Sequence, residues 1–328
     1  MQTVQALLTA AKVDSAESPY DTIHIKVLYP AKNTDSNLEK NWGMLPVDAA
    51  QAPFPVVIFF NGFNCDAQKY QWLGIELAQT GLVVVMFNWV GESLPGLVSF
   101  TPGFEIEKRK REFYGTVPTA SALPVILTKL AQLQSAGILS GTLDLEKIIL
   151  GGHSEGGRVA MENANPNFFP QVVASFAYGS HTAGAVMLGY KPNTILPLPD
   201  TLPRLVIGGT HDGVIANSSA HFGLNTKDAT TPVIRTFQEA IMGGRENSYL
   251  LLLRGANHFS IVDIVDSTLA LPFKDIPATQ PQEHFRLLLA TIIHLFIDAH
   301  VRHQPEAFQK LEQLLIVTNP LIQSFERK

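Results

Sequence analysis

Residues 152–156 of the chain read Gly-His-Ser-Glu-Gly, which is the pattern Gly-x-Ser-x-Gly. In enzymes with this pattern, the serine lies on a sharp turn between a strand and a helix and exposes its hydroxyl for attack on a carbonyl carbon. A short β-branched run precedes the pattern at residues 147–150, and a helical pattern follows it. The glycines leave room where a Cβ would collide with the neighbouring strand and helix. We therefore predict that Ser154 is a nucleophile.

A serine hydroxyl is a weak nucleophile until a histidine accepts its proton, and that histidine requires a carboxylate to orient its ring and stabilise its charged form. Of the 10 histidines, His258 follows the apolar run 249–253 across a short loop. Asp212 follows the run 204–207 in the same way and lies between Ser154 and His258 in the chain. We predict that His258 is the general base and Asp212 its acid.

Other residues compete for these two roles. His181 and His211 also follow strand-like runs, so each is an alternative base. Asp200 and Asp263 are alternative acids, but neither follows a strand across a loop. Asp212 therefore remains the preferred acid.

A tetrahedral intermediate of ester hydrolysis carries negative charge on its oxygen and needs two hydrogen-bond donors. One donor is predicted to be the backbone N–H of Glu155, the residue after the serine. The second should come from the loop at residues 61–64, which follows the apolar run 55–60, and we choose the N–H of Phe63. The side chains of the two asparagines that bound this loop are alternatives.

Cys65 is the single cysteine, so the chain cannot form an intramolecular disulfide or build a zinc site from several thiolates. A nucleophilic role for Cys65 is an alternative to Ser154. We discount it because no histidine lies with Cys65 in a recognisable motif, and a free buried cysteine usually acts as a small apolar side chain.

Composition and charge narrow the class of protein. The 328 residues are 46% hydrophobic and 16% charged, which is typical of a globular chain with a substantial core. The 24 basic and 29 acidic residues give a formal net charge of -5, which argues against a nucleic-acid partner. The basic run at residues 108–111 is flanked by glutamates and predicts a solvated helix face.

The N-terminal segment and the hydropathy pattern bear on location. The segment lacks the charged start and sustained apolar stretch of a secretory signal, and no uncharged apolar run approaches roughly 18 residues. We expect a soluble protein that is not secreted, with peripheral membrane contact left open.

Short apolar runs alternate with longer helical patterns along the chain, which is typical of an α/β fold with a mostly parallel twisted sheet flanked by helices. We expect one domain over residues 1–328, with at least six strands. The predicted strands are residues 22–29, 55–60, 81–89, 147–150, 172–178, 204–207 and 248–253. The predicted helices are residues 68–79, 118–134, 281–299 and 305–316.

Two proline-containing stretches, residues 94–117 and 181–203, fall between these elements. Their apolar residues follow neither the spacing of a helix nor that of a strand. We predict that they are insertions that form a lid or a wall of the substrate pocket. Large apolar side chains in and beside them would suit a lipophilic substrate: Phe100, Phe104, Phe113, Tyr114, Met187, Leu188 and Tyr190.

Three segments, residues 54–63, 152–157 and 255–258, resemble chlorophyllase, and the resemblance extends over roughly residues 50–265. It implies the α/β-hydrolase fold and a catalytic triad of Ser154, Asp212 and His258. It also implies hydrolysis of the phytyl ester of chlorophyll to chlorophyllide and phytol, with no metal and no dissociable cofactor. Chlorophyll would then be the lipophilic partner, and the protein would be cytoplasmic or peripheral to a photosynthetic membrane.

The chain departs from the usual pattern of that family at two positions. Glu155 replaces the arginine that generally follows the serine, and Asn61 replaces the histidine before the glycine. We expect Phe63, His153 and His181 to contact the substrate. Related hydrolases of acylglycerols, oxidised phospholipids and polyesters share the same loop and turn, so other lipophilic or short-chain esters are alternative substrates. A non-catalytic module that binds pigment or lipid is a third possibility.

Overall fold

The computed structural model describes residues 2–32, 41, 43–94 and 96–328. Within these residues, ten strands join into one sheet. The strands are β1 (Thr3–Lys12), β2 (Thr22–Ala31), β3 (Phe54–Phe60), β4 (Val83–Leu94), β5 (Leu97–Phe100), β6 (Leu143–His153), β7 (Val172–Tyr178), β8 (Arg204–Gly209), β9 (Ser248–Leu253) and β10 (Ile322–Arg327). Each of the seven runs predicted as strands corresponds to one of them, so those predictions are confirmed. β1, β5 and β10 were not predicted.

The strands lie in the order β1, β2, β4, β3, β6, β7, β8, β9, β10, and β5 pairs with β4 outside this path. Pairing is parallel from β4 through β9 and antiparallel where β1, β2, β5 and β10 join. The predicted mostly parallel sheet is therefore confirmed. Because parallel strands end at the same edge of a sheet, the loops after β3, β6, β7, β8 and β9 lie close together.

Helices cover both faces of this sheet. Within the described ranges they are α1 (Gln71–Ala78), α2 (Ala122–Ser135), α3 (Glu155–Asn163), α4 (Gly213–Ser218), α5 (Thr231–Arg235), α6 (Gln282–His300) and α7 (Pro305–Ile316). The four predicted helices correspond to α1, α2, α6 and α7 and are confirmed. None of the helices in the described part of the chain has the length and apolar character needed to cross a membrane.

The apolar core lies in layers on the two faces of the sheet. α1, α6 and α7 pack on one face, and α2, α3 and α5 pack on the other. In β3, Val57 and Phe59 contact the first layer, whereas Val56, Ile58 and Phe60 contact the second. A strand buried on both faces has a continuous apolar sequence rather than an alternating one, which explains why β3 stood out in the sequence.

The two predicted insertions differ in structure. The first, residues 94–117, begins as an antiparallel hairpin, because β4 continues to Leu94 and pairs with β5. Its first residues are therefore regular, whereas the sequence predicted an irregular segment. Pro95, in the same insertion, lies outside the described residues. A 3-10 turn follows at Ile106–Arg109. The second, residues 181–203, is described throughout and contains one 3-10 turn at Val186–Leu188.

Candidate active site

Ser154 occupies the turn between β6 and α3. Its backbone has φ 54° and ψ -123°, a conformation that is strained for any residue with a Cβ. The close packing of the turn requires glycine on both sides. A Cβ on Gly152 would lie 2.4 Å from the carbonyl oxygen of Gly156, and a Cβ on Gly156 would lie 2.2 Å from the carbonyl oxygen of Phe60. The strained turn predicted from the sequence is confirmed.

Ser154, His258 and Asp212 lie in one hydrogen-bonded row. The Oγ of Ser154 is 2.9 Å from Nε2 of His258, and Nδ1 of His258 is 2.8 Å from Oδ2 of Asp212. A carboxylate can only accept from the Nδ1–H, so Asp212 leaves Nε2 free to accept the serine proton. The other oxygen of Asp212 accepts from the N–H of Ile215 at 2.8 Å, which fixes the carboxylate at the start of α4.

The electrostatics of this row favour a protonated histidine. Burial by itself lowers the pKa of His258. The charge of Asp212, its hydrogen bond and the charge of Asp275 outweigh that effect, so the pKa of His258 is raised above 6.5. Asp275 is therefore a second carboxylate that acts on the ring; its two oxygens accept from the N–H groups of Gly213 and Phe259 at 2.8 and 3.3 Å.

Three of the four residues that competed for these roles have other partners. The Nδ1 of His211 is 3.1 Å from the carbonyl oxygen of Pro277. Asp200 pairs with Arg245 at 3.0 Å, and Asp263 pairs with Arg286 at 3.4 Å. None of these three competitors is hydrogen-bonded to Ser154 in the described part of the chain.

The two N–H groups predicted to bind the oxyanion are not used in hydrogen bonds within the described structure. Among the described residues, no acceptor takes a hydrogen bond from the backbone N–H of Phe63 or of Glu155. Phe63 lies in the loop at residues 61–64, which we call the oxyanion loop. Tyr70 holds this loop in place, because its hydroxyl accepts from the N–H of Gly62 at 3.2 Å. Phe63 and Glu155 line the same cavity as Ser154, so their two N–H groups are available to stabilise an oxyanion there.

Neither of the two alternative asparagines lines the cavity at Ser154, and neither does Cys65. The side-chain amide of Asn61 donates to the carbonyl oxygen of Cys65 at 2.5 Å, and Oδ1 of Asn64 accepts from the N–H of Phe100 at 3.4 Å. Cys65 is buried, and burial raises the pKa of its thiol to about 11. Since only a thiolate is strongly nucleophilic, Cys65 stays an unreactive thiol at neutral pH.

His153 is completely buried and does not line the cavity at Ser154. Its Nδ1 is 2.8 Å from the hydroxyl of Tyr70, and its Nε2 is 2.9 Å from the carbonyl oxygen of His258. Burial, followed by the charge of His258, holds the pKa of His153 well below 6.5, so the ring is neutral. The structure therefore gives His153 internal partners in place of the predicted substrate contact, and the ring connects the oxyanion loop to the base.

A cavity of about 270 Å³ opens beside Ser154. Phe63 and His181 line it, as predicted for substrate-binding residues, together with Phe104 from the first insertion. Val214 and Phe222 add apolar surface. The cavity can therefore receive an apolar group next to the serine hydroxyl.

A buried cluster of charges holds the first insertion against α3. Arg109 is 3% exposed and forms ion pairs with Glu155 and, at 2.8 Å, with Glu162. Arg158 pairs with the other oxygen of Glu162 at 2.7 Å. The predicted solvated face at residues 108–111 is therefore wrong for Arg109. Burial by itself raises the pKa of Glu155, but the charges of Arg109 and Arg158 outweigh it and lower that pKa.

Sequence reasoning missed Tyr70, Arg109 and Asp275. Tyr70 lies among predicted helix residues, Arg109 lies in a run of like charges, and Asp275 follows no predicted strand. The glutamates after the serine were the one available signal for Arg109, because a carboxylate at a buried turn requires a cation nearby.

The described residues contain no group of three or more histidine, cysteine, aspartate and glutamate side chains that could hold a metal ion. Comparison with models of protein families and with curated proteins finds no match for this chain. The geometry of the site is therefore the basis for a functional interpretation.

Proposed function

We propose that this protein is a serine carboxylesterase with the α/β-hydrolase fold. The observation that carries the proposal is the row of Ser154, His258 and Asp212, in which the serine stands on a strained turn beside two unpaired N–H groups. Strained conformations persist where the surrounding structure enforces them, and they cluster at functional sites.

The arrangement of the sheet supports the same proposal. In this fold the nucleophile, acid and histidine occur in that order along the chain, and the serine lies between a strand and a helix. Here Ser154 follows β6, Asp212 follows β8 and His258 follows β9. A parallel sheet brings these three loops to one edge, so residues far apart in sequence can act together.

In the proposed reaction, His258 accepts the proton of Ser154 while the serine oxygen attacks the ester carbonyl. The N–H groups of Phe63 and Glu155 stabilise the oxyanion, and His258 then protonates the departing alcohol. An acyl group remains on Ser154. Water, deprotonated by His258, attacks this acyl group in turn and releases the acid.

The substrate that we propose first is the phytyl ester of chlorophyll, on the basis of the resemblance to chlorophyllase. The aromatic rings of Phe63, Phe104 and Phe222 at the cavity are compatible with a large lipophilic substrate. The volume of about 270 Å³ is below the range of roughly 300–1,000 Å³ typical of ligand pockets, so most of such a molecule would lie outside the cavity.

That small volume favours a second candidate, a general esterase for short-chain esters. An ester with a few carbons on each side would fit entirely within the cavity. The two candidates share the mechanism and differ in the substrate, so one panel of substrates distinguishes them.

The test is hydrolysis of chlorophyll a beside nitrophenyl esters of increasing chain length, with direct measurement of chlorophyllide, phytol and nitrophenol. We expect Ser154→Ala to lower kcat by on the order of 10⁶-fold. The matched control is Ser140→Ala, at an exposed serine outside the site, which should keep the parental rate.

Hydrolysis of chlorophyll would support the first substrate, and hydrolysis of short esters alone would support the second. If pigment binds without turnover and Ser154→Ala has no effect on any ester, the protein is a binding module and the proposed esterase function is wrong. Circular dichroism of both variants establishes that they are folded.

A further inference from the structure

One wall of the cavity at Ser154 carries hydrogen-bond donors that the proposed reaction does not use. Arg158, Ser180 and His181 all line the cavity. Their exposed fractions are 6%, 3% and 8%, so each is more than nine-tenths buried. We call these three residues the donor wall.

Two atoms of the donor wall lack a partner. Within the described part of the chain, Nη2 of Arg158 and Oγ of Ser180 are buried and form no hydrogen bond. The rest of the Arg158 guanidinium is fixed, because Nε donates to Glu162 at 2.7 Å and Nη1 donates to the carbonyl oxygen of Ala183 at 2.9 Å. Buried polar atoms without partners are costly, and they are rare in folded proteins.

His181 supplies a third donor. The backbone N–H of Ala183 donates to Nδ1 of His181 at 3.2 Å, so the proton of the neutral ring must be on Nε2. No acceptor among the described residues takes that Nε2–H. Burial, the charge of Arg158 and the charge of His258 lower the pKa of His181 to about 3, so the ring stays neutral at working pH.

The charges around the donor wall are already balanced. The guanidinium groups of Arg109 and Arg158 are matched by the carboxylates of Glu155 and Glu162. Asp212, at the base, adds further negative charge on the other side of the serine. A substrate carboxylate would therefore lack a free counter-charge, whereas a neutral carbonyl oxygen, which has two lone pairs, needs only hydrogen-bond donors of the kind that this wall carries.

We propose that the donor wall binds a second, neutral carbonyl group of the substrate, separate from the ester that is cleaved. This inference rests on the proposed esterase function and specifies the class of substrate: esters that also carry a ketone or a further ester group. The aromatic side chains of the cavity would enclose the carbon atoms between the two carbonyl groups.

The test compares esters of matched size. On the acid side these are ethyl pentanoate, ethyl 4-oxopentanoate and monoethyl succinate, and on the alcohol side propyl acetate and 2-oxopropyl acetate. Each kcat/KM is divided by the rate of hydrolysis by hydroxide, which removes differences in intrinsic reactivity. We expect the ketone to be favoured about tenfold over its alkyl analogue in at least one series, and monoethyl succinate to be disfavoured.

Ser180→Ala should reduce the ratio of ketone to alkyl hydrolysis, because it removes one donor. His181→Phe should also reduce it, since phenylalanine retains an aromatic ring against Phe222 but has no N–H. The matched control is Ser248→Ala, which removes another buried, unpartnered hydroxyl on β9 that does not line the cavity. This control should leave the ratio unchanged.

The outcomes separate the two proposals. If the alkyl esters are cleaved but the ratio is near one, or if Ser180→Ala and His181→Phe leave it unchanged, the donor wall has no role in recognition. Preference for monoethyl succinate would show that the wall binds an anion and would overturn the inference. If no ester is cleaved by the parent protein, the esterase function fails and the inference fails with it.

Discussion

At the scale of single residues, two carboxylates act on the imidazole of His258. It contacts Asp212 directly, and the carboxylate of Asp275 also raises its pKa. His153 packs against the ring with centroids 4.6 Å apart but is neutral. The two carboxylates favour the imidazolium that forms when the serine proton is accepted, which is the state that catalysis needs to stabilise.

Asp275→Asn should shift the pH profile of ester hydrolysis. Only neutral His258 can act as a base, so the rate should rise with pH through its raised pKa, which lies above 6.5. Removing the charge of Asp275 lowers that pKa, so the rising limb should move to lower pH. The measurement is kcat/KM against pH, with the midpoint of the acid limb as the readout.

Asp263→Asn is the control for this experiment, because its side chain is 50% exposed and pairs with Arg286 outside the row. Its profile should match that of the parent. An unchanged midpoint in Asp275→Asn would mean that the carboxylate positions the loop through Gly213 and Phe259 without acting on the base electrostatically.

At the scale of elements, the sequence predicted the central strands, which are buried on both faces of the sheet. Strand β3 is short and apolar throughout, and β7 is apolar except for Ser175. The residues after the parallel strands were sufficient to select Ser154, Asp212 and His258. β1 and β10 lie at the edges of the sheet, and none of their residues is fully buried. Their polar and apolar residues are mixed without strict alternation, so they show neither the pattern of a half-buried strand nor the continuous apolar run of the central strands.

The buried charge cluster could not be predicted for a different reason. Arg109 contacts Glu155 and Glu162, which are 46 and 53 residues away in the chain, and its immediate neighbours Lys108 and Lys110 are more exposed. A local run of lysine, arginine and glutamate predicts a solvent-exposed segment. Only the fold brings the partner carboxylates of α3 to this turn.

Arg109→Met should destabilise the protein by about 3–5 kcal/mol, because it leaves two carboxylates of α3 without their shared cation in a largely buried position. The measurement is the free energy of unfolding in urea. Lys110→Met is the matched comparison, since Lys110 is next to Arg109 and pairs with the exposed Glu107, so little change is expected. Equal effects of the two substitutions would mean that the cluster does not hold the insertion.

At the scale of the whole molecule, the candidate site is assembled from loops between residues 62 and 275, all at one edge of the sheet. The two insertions contact α3 and each other through hydrogen bonds and ion pairs. Arg109 connects the first insertion to α3, and its carbonyl oxygen accepts from the hydroxyl of Tyr190 in the second insertion at 2.9 Å. The walls of the cavity are therefore parts of the folded unit rather than separate flaps.

This arrangement predicts that activity and the global fold are lost together in urea. Hydrolysis of a short nitrophenyl ester and far-UV circular dichroism should give the same midpoint, because no element of the site is held independently of the sheet. In Arg109→Met the first insertion loses its connection to α3, so activity should fall at lower urea than the circular dichroism signal. If the parent protein already loses activity before its secondary structure, the insertions open on their own, and the ion pairs of Arg109 do not couple them to the core.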